Sequence, residues 1–148
     1  MGPLLYGMVA ALVGASFAVQ PVLNVEISRG TGSALWAATA SISVSLLTMV
    51  AIAVTGVAGR LPLGQVLGLP PWLVLGGVIG AGVVVCSIWL TPIIGTAAFF
   101  AWLIAGQLIA SLAIDHVGLM SVPVEPISLL RVLGVGLAIA GAVLVKLG

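Results

Sequence analysis

The stretch LPLGQVLGLPPWLVLGGVIGAGVVVCSIWLTPIIGTAAFFAWLIAGQLIASLAI, residues 61–114, runs for 54 positions without one Asp, Glu, Lys or Arg. A hydrocarbon core about 30 Å thick takes roughly 20 residues of helix at 1.5 Å each, so this stretch holds two crossings. Pro92 is expected to divide them, after an earlier break at Pro70 and Pro71. Trp72 to Thr91 and Ile93 to Ile114 then give 20 and 22 residues, both matched to the apolar thickness with a modest tilt. Upstream, Met1 to Val25 is uncharged and leads into a Gly, Thr and Ser loop that holds Glu26 and Arg29 and closes near Ser33. Ala34 to Gly59 is uncharged again, with Trp36 at its start and Arg60 and Pro62 at its end, as suits an interface. Downstream, Arg131 and Lys146 bracket 14 uncharged residues, which span the core only if both side chains snorkel to opposite faces. The charge map therefore predicts an all-α fold, an integral membrane bundle of five transmembrane helices at about 3–25, 34–58, 72–91, 93–114 and 129–147. Its N- and C-termini fall on opposite sides, and the whole of 1–148 is expected to form a single five-helix domain. The first helix is expected to be retained, since it lacks the basic flank of a cleavable signal.

Composition agrees. Of 148 residues, 62% are hydrophobic and only 5% charged, against roughly 25% charged in soluble domains, and the mean hydropathy is +1.43. Lipid is the solvent such a surface requires. The net charge is +1 with four scattered cations, so no patch can track phosphates and nucleic acid is not an expected partner. The lone Cys86 excludes an internal disulfide framework and a cysteine-pair metal site. The single histidine, His116, has no nucleophile at a fixed spacing, so neither enzyme chemistry nor a metal or other cofactor is expected. The 20 glycines suit helices whose backbones approach closely in a bilayer.

Five crossings sort the cations into Arg60 and Arg131 on one side and Arg29 and Lys146 on the other. With two against two, the positive-inside rule has nothing to act on. Copies inserted both ways and paired antiparallel are the expectation; a single topology fixed by other cues is the alternative. Transporters commonly hold substrate at mid-membrane between two inverted repeats. One five-helix unit is half of that, so the inverted partner is a second copy or a close paralogue.

Polar side chains in the apolar segments are the candidate site, because each is costly in lipid unless paired. Gln20 and Asn24 lie four apart on one helix face with Pro21 between them. Either the proline opens the backbone beside two amides and a ligand binds there, or helix one ends and the amides are hydrated. Gln107, Ser111 and Asp115 recur every four residues along helix four, a face that Phe100 and Leu103 continue. Measured from a helix centre near Leu103, Gln107 lies about 6 Å toward the Arg60 side. In an antiparallel pair it then approaches the depth of the partner's Gln20, which suggests a shared polar chamber. Trp102 near mid-membrane can offer a ring face to a cationic or planar solute, or simply face lipid. Ser41, Ser45, Thr48 and Thr55 form one polar line on helix two, read first as hydroxyls that bond their own backbone or a neighbouring helix, with a lining role as the alternative. Asp115, His116, Glu26 and Arg60, near helix ends, are the candidate gating or coupling residues. Asp115 opposes the dipole at its helix C-terminus and calls for a cationic partner, so a gate and a folding clamp both fit it.

The stretch IIGTAAFFAWLIAGQLIASLAIDHVGL, residues 93–119, with Gly95, Gly106, Gln107, Ser111, Asp115, His116 and Gly118, resembles the fourth-helix signature of a short bacterial branch of the drug/metabolite transporter superfamily. QPVLN at Gln20 to Asn24 is similar to the same five-helix, YdcZ-like branch, and the resemblance covers essentially the whole chain. Where that family commonly carries a glycine in helix two, this chain has Ser45. The resemblance implies a multi-pass protein of the bacterial inner membrane, found as single units, oppositely oriented pairs or fused ten-helix duplicates. Small multidrug exporters of the superfamily use a carboxylate deep in helix one; here helix one is uncharged up to Glu26, so that proton-for-cation exchange is not encoded.

Together these features point to a membrane transporter of a small organic solute. It is expected to work with alternating access as an antiparallel homodimer, or with an inverted paralogue. The alternative is a non-transporting structural or regulatory membrane subunit.

Overall fold

Glycines, rather than prolines or charges, end the helices. The computed structural model describes residues 3–57, 59, 64, 68–119 and 123–148. In chain order it has α1 (Pro3–Thr31), α2 (Ala34–Val54), a short 3-10 turn (Pro71–Val74), α3 (Leu75–Ile94), α4 (Thr96–Val117) and α5 (Leu129–Leu147). There is no strand among the described residues. Among the described residues, five helical segments are long and apolar enough to cross a membrane, as the charge map predicts.

Four of the helices differ in their bounds from the sequence-based expectation. Pro21 does not end helix one: α1 runs on for another ten residues, carrying Glu26 and Arg29 inside the helix as an i,i+3 pair at 3.1 Å. Such prolines are tolerated within membrane helices because neighbouring groups and small backbone adjustments satisfy the freed carbonyl. The helix stops before Gly32, and Thr31 Oγ1 donates to the Ile27 carbonyl at 2.9 Å. Helix two stops at Val54 rather than near 58, its last carbonyls taken by the N–H groups of Thr55 and Gly56. Pro92 lies inside α3, and the division expected there falls at Gly95 instead. With φ 86 and ψ 151, Gly95 occupies a backbone region essentially closed to residues with a Cβ. Helix four is therefore displaced by three residues from the expected 93–114, and Gly118, left-handed at φ 64 and ψ 40, returns its N–H to the Ile114 carbonyl. The fifth helix matches its expected bounds.

Serine caps fix two of the starts. Ser33, extended at φ -147 and ψ 118, accepts from the Trp36 N–H, and Ser128 accepts from the Arg131 N–H, each satisfying one orphan donor of the first turn.

Contacts divide the chain into two units, Met1–Thr91 and Pro92–Gly148. In the first, α1 and α2 lie side by side. Ala37, Ala38 and Ile88 are buried together, with Val25, Ala34, Val84 and Val85 packed around them, so α3 meets α1 and α2 through small and branched side chains. In the second, α4 and α5 pack against each other. Large side chains such as Leu12, Leu47, Leu137 and Leu144 stand exposed, the surface a lipid solvent calls for. A Cβ added at Gly76, Gly80, Gly134 or Gly141 meets no atom within 4 Å.

Candidate functional site

Ser16, Gln20 and Asn24 recur every four residues on α1, so all three fall on one face. That face borders an open groove of about 390 Å³ between α1 and α2, to which α2 contributes Ser41 and Ser45. Leu23, Ile27, Ala40 and Val44 supply the rest of its wall. No charged side chain lines it.

Within the groove, Gln20 Nε2 donates to Ser41 Oγ at 3.4 Å, a long contact that ties α1 to α2. Ser16 and Ser45 spend their hydroxyl protons on their own helices, donating to the Leu12 and Ser41 carbonyls, each at 3.0 Å. Their oxygens keep lone pairs for other partners. Asn24 is different. It is 3% exposed, and among the described residues its Nδ2 has no hydrogen-bond partner. A buried donor in that state carries a desolvation cost of about 1–3 kcal/mol. Thr91 Oγ1 on α3 is the other such atom among the described residues.

The second unit carries its own groove, about 240 Å³, between α4 and α5, lined by Ser111, Asp115, Arg131 and Gly134 among apolar neighbours. Arg131 occupies its polar end. Its Nη1 lies 3.4 Å from Asp115 Oδ2 and its Nη2 3.2 Å from Glu125 Oε2. The same loop closes over the end of α4: the Glu125 N–H donates to the Asp115 carbonyl at 2.9 Å, and the Ile127 N–H to His116 Nδ1 at 3.4 Å.

Of the sequence-predicted binding residues, Gln20 and Asn24 come together in one groove, and Ser111 stands in the other. Gln107 and Trp102 line neither of these two grooves. Both are exposed, and the Gln107 side chain has no hydrogen-bond partner among the described residues. With α4 spanning Thr96–Val117, Gln107 stands at the helix midpoint and not offset from it by the expected four residues. That offset assumed that Pro92 set the helix start. Among the gating candidates, Asp115 and His116 belong to the Arg131 cluster, while Glu26 is paired with Arg29 on an exposed face. Arg60 lies outside the described residues. Ser16 was missed as a site residue although its spacing to Gln20 signals it. Between the two readings of Ser41 and Ser45, helix contact or lining, spacing does not decide, because nothing in a single helix's spacing says which face its neighbour shares.

The model of a family described as "Putative inner membrane exporter, YdcZ" matches residues 5–144. No curated protein and no solved structure matches the chain.

Proposed function

The chain belongs to the YdcZ family of inner membrane exporters, and from that premise we propose that it moves a small organic solute by alternating access as an antiparallel dimer of half-transporter units. Membership supports the coarse part, a multi-pass inner membrane transporter. The groove on α1 carries the finer part. It sets Gln20 and Asn24 of α1 beside Ser41 of α2 in a space of about 390 Å³, which lies within the range of roughly 300–1,000 Å³ that small-molecule sites occupy.

Two observations support an inverted second copy. The cations divide two against two across the expected topology, and the Gln107 amide stands exposed and unpartnered at the middle of its span. An amide there is costly in lipid, and a partner inserted the opposite way brings groups to the same depth. In this reading the two copies enclose a chamber with Gln20 and Asn24 on one wall and Gln107 on another. Asp115 and Arg131 then close one end.

Purified protein reconstituted in liposomes tests the proposal. Thermal stabilisation across a broad metabolite panel, followed by transport of the best ligand, is expected for the native chain and lost in Gln20→Leu. Protein that no solute stabilises or crosses with would point instead to a structural or regulatory subunit.

A further inference from the structure

The Asn24 amide restricts what the α1–α2 groove can accept. It is 3% exposed, it lines the groove, and its Nδ2 has no partner among the described residues. Around it, Gln20 Nε2 already donates to Ser41 Oγ, and the Ser16 and Ser45 hydroxyls donate to their own backbones. The one orphaned, dehydrated group is therefore a donor, and what it lacks is an acceptor. No Asp or Glu lines the groove to balance a cation, and no Lys or Arg lines it to balance an anion. An unpaired ion there would lose its hydration without compensation, which costs far more than an uncharged polar group losing its own. The remaining wall is aliphatic, from Leu23, Ile27 and Val44.

We infer that the groove selects uncharged solutes that carry a hydrogen-bond acceptor, such as a carbonyl or amide oxygen, on an apolar body, with the acceptor oxygen taking the Asn24 Nδ2 hydrogen bond. Binding removes a cost the empty groove bears, so the oxygen is recognised more strongly than an equivalent contact at an exposed site. The Ser16 and Ser45 oxygens accept from any N–H the solute carries beside its carbonyl. This inference rests on the exporter reading above and narrows its substrate class.

A size-matched naphthyl series tests it on the full-length protein in lipid nanodiscs: naphthamide, naphthoate, naphthylmethylammonium and ethylnaphthalene. Naphthamide is expected to bind about tenfold more tightly than the other three, the factor that corresponds to one buried hydrogen bond made or missed. Asn24→Leu is expected to erase that preference, leaving naphthamide level with ethylnaphthalene. Asn24→Asp, which keeps the size and adds a carboxylate, is expected to turn the preference to naphthylmethylammonium; it also serves if the leucine variant fails to fold. Wild-type protein that prefers the ammonium or the carboxylate overturns the inference and leaves the exporter reading standing. So does naphthamide binding that is indifferent to both substitutions. Absence of binding by all four probes overturns the inference too; the exporter reading then depends on transport and its loss in Gln20→Leu, measured separately.

Discussion

Arg131 Nη1 lies 3.4 Å from Asp115 Oδ2, joining the first turn of α5 to the last turn of α4. Asp115 sits where a helix dipole disfavours negative charge, and Arg131 offsets both that field and the Glu125 carboxylate 3.2 Å from its other nitrogen. Arg131→Gln removes one cation from two carboxylates. Because the Asp115 and Arg131 side chains are each about one-third exposed, solvent screening limits the loss to about 1 kcal/mol. Thermal unfolding of the purified protein should show a lowered midpoint, and adding Asp115→Asn to Arg131→Gln should recover part of it. An unchanged midpoint would mean that the cluster contributes nothing to stability.

Gly95 provides a cleaner test of backbone strain. An added Cβ meets no atom within 4 Å there, yet the residue holds φ +86. Gly95→Ala should therefore destabilise by about 1–3 kcal/mol through conformation alone. Gly106, inside α4 and with equally open space, is the control: Gly106→Ala should be neutral or stabilising by about 0.5–1 kcal/mol in chain entropy. Equal responses of the two variants would remove the argument that glycine conformation sets the α3–α4 boundary.

That boundary also marks how far the sequence was legible. Crossing number followed from where Glu26, Arg29, Arg60, Arg131 and Lys146 interrupt apolar runs, because the bilayer imposes one length on every span. The ends of the spans were harder to read. Pro21 and Pro92 look like breaks in a soluble helix, but both lie inside α1 and α3. The actual stop between α3 and α4 depends on a positive φ at Gly95, a property invisible among 20 glycines. The site divides the same way. Gln20 and Asn24 share a face by spacing alone, and Ser16 extends it at the same interval. The Gln20–Ser41 contact depends on how α1 is rotated against α2, which no periodicity within one helix encodes. The Arg131 partner of Asp115 required the loop at 123–128 to fold back over α4.

Gln107 distinguishes a paired chain from a solitary one. If a second copy supplies its partner, Gln107→Leu removes an interhelical hydrogen bond, which in membranes averages about 0.6 kcal/mol, or roughly a threefold weaker dimer per bond. Dimer fraction in bilayers, followed by single-molecule photobleaching over a range of protein-to-lipid ratios, should shift by that factor. A monomer leaves the amide facing lipid, and there the leucine would stabilise the fold while leaving association unaltered.

Orientation offers the most direct test of the inverted pair. With Arg60 and Arg131 on one side and Arg29 and Lys146 on the other, a few added lysines should decide the insertion of the whole chain, since the bias they must overcome is zero. Three lysines appended after Gly148 should hold the C-terminus in the cytoplasm. Gln65→Lys, with two lysines inserted beside it in the stretch between α2 and α3, should hold it outside. A reporter fused at the C-terminus of the native chain should read on both sides of the membrane, and each biased variant should read on one. If the working unit is two inverted copies, each variant alone can assemble only same-facing neighbours, and transport should fall to background. Expressing both together supplies one chain of each orientation and should restore it. Either variant transporting at the native rate by itself would show that same-facing or single chains suffice, and the two-against-two charge balance would then have no functional meaning.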